Sequence, residues 1–370
     1  MPHPDILILG GGILGLATAR ELHRRGASVA MVEARRIGGD ASAASAGMLA
    51  PLAEVPTPGP FFDLCRLGRD LWPAWSESLE TEVGVDVDLD RSGALILDEG
   101  IYPRRLLAAA QRLGEPWEQV DRATSRASVP DLRHDVEELL FLPGEHRVDN
   151  VRVCAALETA LRRRGVPLFP HHPVRRVASL SNGVRVEGDG FEFQAGGLVV
   201  TAGAWSGGID GLPVLPVKPV RGQMLCFDDV DWPFMGCLRG GHLYAVRRRG
   251  QRLLIGATVE DVGFDSRTTP EGRRQLLAFA ERHFPGLAPR RPSAEWAGLR
   301  PAAPDHLPIV GPLGDRIWAA TAHHRNGILL APWTADAVAQ GMLADGASAA
   351  PWRAILAPDR AALLAAKTAP

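Results

Sequence analysis

The sequence predicts an α/β protein in two parts: a Rossmann-like nucleotide-binding domain assembled from separated segments, and an antiparallel sheet inserted between them. Three observations point there. Residues 5–34 run strand, glycine-rich turn, helix, strand; short strands and hairpins fill the middle of the chain; an apolar strand and a helix follow near its end. An order of α/β, mixed strands, then α/β suits a nucleotide domain whose segments flank an insertion. With 370 residues, 46% of them hydrophobic and 23% charged, the chain can bury a large core and divides naturally into two domains.

The first unit reads DILILGGGILGLATARELHRRGASVAMVEA. ILIL is a continuous apolar run, as a parallel strand covered on both faces requires. LATARELHRR has helical spacing and stops at Gly26, and SVAMVE forms the second strand. Gly10, Gly12 and Gly15 occupy the G-x-G-x-x-G positions. The first permits a tight turn, the second a close approach of backbone to a pyrophosphate, the third close packing of helix on strand. The helix N-terminus offers amide donors and a positive dipole end to that anion. Glu33 closes the second strand, where its carboxylate can accept from an adenosine ribose and repel a 2′-phosphate. The following stretch, ARRIGGDASAASAGMLAP, is rich in small residues that let backbone lie against a flat ligand, and it lacks the continued βα alternation of a nicotinamide dehydrogenase. No second fingerprint is present, since GDG at 188–190 and TAGAWSGG at 201–208 lack the flanking strand-to-helix pattern. Reducing equivalents would therefore come from the substrate itself.

Further along, the pattern predicts a long helix from Phe61 to about Val83, and GVDVDLDRSGALILDEG reads as two short strands around a turn at Ser92-Gly93. VRVCAALETALRRR, residues 151–164, is a helix ended by Gly165. A strand meander follows with a turn at Asn182-Gly183, and LVVTAGA returns to the core. HLYAVRRRGQRLLIGATVED is a hairpin turning near Gly250. Finally IWAATA leads through HHRNG to a helix that Pro332 and Thr334 suit at its start, with Gly346 past its end.

A formal charge of -2 gives no electrostatic argument for nucleic acid or an anionic membrane. The two RRR runs, at 162–164 and 247–249, read as solvated surface. Cys65, Cys154, Cys226 and Cys237 form no CxxC pair and have no histidine at ligand spacing, so neither a zinc site nor a dithiol centre is expected and free buried thiols are. There is no signal-like N-terminus, and no apolar run nears the roughly 18 residues of a membrane span; both point to the cytoplasm. Arg300 stands out in AEWAGLRPAAPDHLPIVGP because no acid lies closer than Glu295 and Asp305. A planar, permanently charged fork with no local partner suits a bound carboxylate; the alternative is pairing with a distant acid such as Asp305.

GGGILGLATA…VEA, SAGMLAP, VVTAGAWSG, RGQML, YAVRRRGQRLLIGATVEDVGFD, WAGLRPAAPDHLPIVGP and HHRNGILLAPWTA together resemble the D-amino-acid oxidase-like flavoproteins, and most closely the glycine oxidases of bacterial thiamine biosynthesis. The likeness spans nearly the whole chain. It implies noncovalent FAD in a domain built from residues 1–84, 147–216 and 297–370, with a substrate domain from 85–146 and 217–296. It implies oxidation of glycine, sarcosine or small D-amino acids by hydride transfer to flavin N5, with O2 reduced to H2O2. The imine hydrolyses to glyoxylate and ammonia or feeds a thiazole synthase. A homo-oligomer, tetramer or dimer, goes with the likeness. A dehydrogenase passing electrons to a partner or quinone, or a flavin-binding subunit of a larger complex, is the alternative. Sarcosine oxidase relatives tether flavin through a Cys near the Arg-Pro step; here no Cys follows Cys237.

Residue by residue, the resemblance assigns the substrate carboxylate to Arg300 and a second donor to it to Tyr244. Met48 and Arg325 complete the substrate wall; His242, two residues before Tyr244 and so on the same strand face, either lines it or is a structural histidine. No side chain is assigned as acid or base. For FAD the expected contacts are Gly10, Gly12, Ile13, Leu14 and Gly15, then Glu33, Ala34 and Arg35. Ser42, Ala43, Ala46, Gly47 and Met48 follow, with Val174, Ala202, Gly203 and Trp205. Arg325, Asn326, Gly327, Ile328 and Leu329 close the set, just before a helix whose dipole would face the flavin's pyrimidine edge. Two positions depart from the family pattern: His324 stands where Tyr or Phe is usual, and Val259 where the Bacillus-type enzyme has Met.

Overall fold

Two large sheets carry the molecule, beside a three-stranded meander over residues 174–195 and a two-stranded ladder. In the computed structural model, which describes residues 3–97, 100–343, 352–360 and 363, a six-stranded sheet has Ile6–Leu9 at its centre. Val29–Val32 and then Leu168–Phe169 lie on one side, Gly197–Val200, Ile317–Thr321 and Ile309–Gly314 on the other. All pairs are parallel except the last, which is antiparallel. Ile6–Leu9 is buried along its whole length, which explains its unbroken apolar run. The helices Ile13–Arg24, Pro60–Val83, Asn150–Arg163 and Ala331–Met342 supply Leu16, Leu22, Leu79, Leu157, Leu161 and Val338 to one core against this sheet. The long helix has Pro60 in its first turn and ends at Gly84, whose φ of 71° is left-handed.

The second sheet has eight strands, from Ala294–Ala302 through Lys218–Phe227, Arg252–Gly256, Leu243–Arg248, Cys237–Gly240, Ala94–Ile96 and Glu138–Leu142 to Glu118–Asp121. Its ladders are antiparallel except the one joining Cys237–Gly240 to Ala94–Ile96. Ala294–Ala302, through which the domain boundary expected at 297 runs, pairs along its length with Lys218–Phe227, from Ala302 opposite Lys218 to Ala294 opposite Cys226. Arg300 therefore stands on this sheet's edge, opposite Val220.

Three expectations need correction or lie out of reach. GVDVDLD forms no strand ahead of Ala94–Ile96; Asp90 makes only an isolated bridge to Arg147. The alternation there serves ion pairing instead: Asp88, at a left-handed φ of 58°, pairs with Arg147 and Arg249, and Asp86 with Arg249. Of the second RRR run, Arg247 and Arg248 are buried and only Arg249 is exposed. The strand Leu243–Arg248 turns Arg248 inward, where its guanidinium donates to the carbonyls of Val148 and Ala46 and to Asn150 Oδ1. The first run, 162–164, is exposed. Gly346 and the end of the expected domain at 370 lie outside the described residues. All four cysteines are free and buried. Among the described residues, no helix is long and apolar enough to cross a membrane.

Candidate active site

The C-terminal ends of Ile6–Leu9, Val29–Val32 and Gly197–Val200 open on a cleft of about 780 Å3, lined there by Gly10, Glu33 and Thr201. Ligands of open α/β sheets bind at this edge. The backbone crowds tightly at its floor, where a Cβ on Gly15 would lie 1.9 Å from the Gly10 carbonyl oxygen, so glycine is required for the helix to meet the turn. Gly12 caps the helix Ile13–Arg24 in extended conformation without a side-chain cap of its own. Ser42 Oγ accepts from the Ile13 amide at 2.9 Å, and the other first-turn amides have no intrahelical partner. The Glu33 carboxylate accepts from the Gly11 amide at 2.6 Å and the Arg35 amide at 2.7 Å, which fixes it at the cleft wall with lone pairs to spare for ribose hydroxyls. The Arg35 guanidinium stacks 4.7 Å over the Trp205 ring, and Trp205 in turn meets Phe264 at 5.5 Å. A helix end free to meet phosphate, an anchored ribose acceptor and an elongated cleft fit a dinucleotide.

The cleft's other end runs to His323, His324, Arg325, Gly327 and Ile328. Beyond it lies a cavity of about 70 Å3 that shares Ala41, Ser45, His324, Arg325 and Ile328 with the cleft and adds Met48, Met224, Tyr244 and Arg300. Arg300 Nη1 donates to the carbonyls of Thr258 at 3.1 Å and Arg221 at 3.4 Å, and no carboxylate among the described residues pairs with it. Asp305, the distant acid, is taken by Arg360 at 2.7 Å. Burial, more than any neighbour, pulls the guanidinium's pKa down. Room for it comes from Gly222, where a Cβ would lie 2.2 Å from Nη2. Tyr244 is buried beside it, its hydroxyl donating to Met224 Sδ at 3.5 Å, and burial pushes its pKa up.

Behind this cavity lies a charge cluster with no counterpart in local sequence. Glu54 binds Arg325 Nε at 2.7 Å and Arg239 Nη1 at 2.7 Å; Arg239 Nε donates to Tyr102 Oη at 3.0 Å. Burial works to raise the Glu54 pKa, but the two guanidiniums more than offset it and leave the carboxyl at about 2. Glu145, close by, accepts from the amides of Leu52 and Ala53 at 2.9 and 3.3 Å, yet burial lifts its pKa to about 7. His324 moves the other way: burial first, then Arg300 and Arg325, depress its pKa to about 4 and keep the imidazole neutral.

Of the sequence-derived set, the large cleft gathers Gly10, Gly12, Ile13, Leu14, Glu33, Ala34, Arg35, Ser42, Val174, Ala202, Gly203, Trp205, Arg325, Gly327 and Ile328. Ala46, Gly47 and Met48 line the smaller cavity instead, with Arg300, Tyr244 and Arg325. Gly15, Ala43, Asn326 and Leu329 line neither. Gly15 packs on Gly10, and the Leu329 carbonyl accepts from Trp72 Nε1. His242 is a correction: it precedes the strand Leu243–Arg248, at the exposed turn, where it meets Gln275 at 3.2 Å. The expected same-face alignment with Tyr244 fails because the strand has not yet begun. Val259 is 51% exposed and lines neither cavity. Glu54, Arg239, Asn150 and Arg248 escaped the sequence reading. Asn150 Nδ2 donates to the carbonyls of Ser42 and Ala43, so with Arg248 it clamps the small-residue segment lying between the two cavities. Only the buried RRR run hinted at this. No cysteine lines either cavity.

The family model described as FAD dependent oxidoreductase matches residues 5–341. The chain is 34% identical to the glycine oxidase of Pseudomonas aeruginosa over 88% of its own length and 91% of that protein. It is 36% identical to the bifunctional protein ThiO/ThiG of Synechocystis, matching 92% of its own length but spanning only 51% of that relative. The crystal structure of glycine oxidase from Geobacillus kaustophilus superposes with a TM-score of 0.90 at 30% identity, covering 97% of this chain and 99% of that one.

Proposed function

The chain belongs to the family of FAD-dependent oxidoreductases, and from that premise we propose that it oxidises glycine and other small primary or secondary amino acids, such as sarcosine and small D-amino acids, to imines. When bound, FAD would supply a two-electron acceptor for the hydride leaving the substrate's Cα, with O2 as the final acceptor that yields H2O2. The residues of the cleft would hold it without a covalent bond, Glu33 at the ribose and the Gly12–Leu14 turn at the pyrophosphate.

The observation that carries the reading is Arg300: a half-buried guanidinium held by two backbone carbonyls and the Tyr244 side chain, with no carboxylate partner among the described residues, facing a small cavity that adjoins the cofactor cleft. Such a charge is costly to leave without an anion and suits a bidentate carboxylate. Tyr244 adds a second donor. The cavity of about 70 Å3 favours a substrate of few heavy atoms. Arg325, fixed by Glu54, closes the wall. With the carboxylate held, the Cα–H is oriented and no side-chain acid or base is required; the neutral amine's lone pair assists the departing hydride. The imine formed from glycine then takes up water to give glyoxylate and ammonia. The fused ThiO/ThiG relative supports a reading in which the imine is passed instead to a thiazole synthase. The family likeness supports a cytoplasmic homo-oligomer, a dimer or tetramer.

The test is peroxide release from glycine, sarcosine and small D-amino acids under air, set beside a dye-linked assay without oxygen. Turnover only with the dye would favour a dehydrogenase. Arg300→Ala should lower kcat/KM about a hundredfold or more, as loss of a buried charged hydrogen-bond partner commonly does. Unchanged turnover in that variant, or a kcat/KM flat across the substrate ammonium's ionisation, would sink the proposal.

A further inference from the structure

We infer that His324 binds the substrate's amino group, accepting a hydrogen bond from its N–H while Arg300 and Tyr244 hold the carboxylate. This rests on the proposed amino-acid oxidation and assigns the amine end of the same site.

An amine presents N–H donors, and the small cavity offers few groups to receive them. Arg300 and Arg325 are donors only and cationic. Tyr244 is committed to the carboxylate, and the thioethers of Met48 and Met224 are weak acceptors. The Ser45 hydroxyl spends its proton on the Ser42 carbonyl at 3.2 Å and keeps its oxygen lone pairs, which makes it the competing acceptor that Ser45→Ala tests. His324 lines both the cavity and the cofactor cleft, and its ring nitrogens make no hydrogen bond to another described residue. Its place is built. The His324 amide donates to the Pro301 carbonyl at 2.8 Å, tying it to the residue after Arg300. Its backbone sits at a left-handed φ of 48°, and its ring lies 5.4 Å from the ring of the exposed His306. Such strain in a non-glycine residue persists where the surroundings over-determine it. A neutral imidazole has one nitrogen free to accept, and burial first, then Arg300 and Arg325, lowers its pKa to about 4 and so keeps it neutral above that pH. A Phe at this position keeps the ring and removes the acceptor.

The experiment compares His324→Phe with the FAD-loaded wild type in two measurements. One is kcat/KM for glycine and sarcosine; the other is the inhibition constant of acetate, which has a carboxylate and no N–H. The expected result is a loss of about tenfold or more in kcat/KM with the acetate constant within about twofold. His324→Gln, which retains an acceptor, should recover part of the loss. Should Phe fail to retain FAD, the same comparison is made with His324→Leu. Three outcomes overturn the inference: kcat/KM within about twofold of wild type, a parallel rise in the acetate constant, or the amine-specific loss appearing in Ser45→Ala and not in His324→Phe. Arg300→Ala separates the two levels. If that variant still turns over glycine and binds acetate normally, the amino-acid reading fails; if it loses both while His324→Phe loses neither, only the amine assignment fails.

Discussion

Replacing Glu54 by Gln tests the charge cluster behind the site. The carboxylate is 6% exposed and is shared by two guanidiniums, each 2.7 Å away. Its pKa stands at about 2 in the fold against an ordinary 4.5, a displacement worth about 3 kcal/mol at roughly 1.4 kcal/mol per pH unit. Because the folded value is the lower one, this stabilisation is complete above pH 4.5 and is lost as pH falls toward 2. The variant leaves Arg239 and Arg325 without their charge partner, and breaking a buried pair from one side costs about 3–5 kcal/mol, in agreement. With an unfolding entropy of about 2.1 cal/mol/K per residue over 370 residues, a loss of about 3 kcal/mol lowers the melting temperature by about 4 °C. Thermal melts followed by circular dichroism at pH 8, 6 and 4, with FAD saturating, should give that gap at the two higher values and a smaller one at pH 4. A variant melting within about 1 °C of wild type at pH 8, or a gap unchanged at pH 4, would refute the reasoning. KM for glycine should rise as well, since Arg325 loses its anchor.

Glu145 should behave in the opposite sense. Burial raises its folded pKa from 4.5 to about 7, so its charge opposes folding progressively as pH climbs between those values; Glu145→Gln should therefore gain melting temperature relative to wild type from pH 5 to pH 8, read in the same melts. Gly222→Ala places a methyl 2.2 Å from Arg300 Nη2, on a buried strand that cannot yield. It should lower kcat/KM for glycine by about a hundredfold and weaken acetate binding in parallel while FAD absorbance is retained.

The cofactor half of the site was legible in the sequence because its determinants are local. A strand, three glycines, a helix and a terminal acid follow one another within residues 5–34, and each acts on its chain neighbours: Gly15 on Gly10, Glu33 on Gly11. Arg300 was legible for a related reason, since its isolation in an apolar stretch is a property of the chain. His242 was misread because the period of a strand says nothing about where the strand begins.

What the sequence by itself determined is the nucleotide fold and a cation with no partner in its own stretch of chain. Tertiary structure alone decided what surrounds that cation. Glu54, Arg239 and Arg325 meet from three distant segments, Arg248 turns inward to hold the carbonyls of Ala46 and Val148, and His324 is brought beside Arg300 by its bond to Pro301. The physical reason is desolvation. A charged side chain reads as surface in any local window, and it becomes part of a site only when packing removes water and leaves a particular partner, or none, within hydrogen-bond reach.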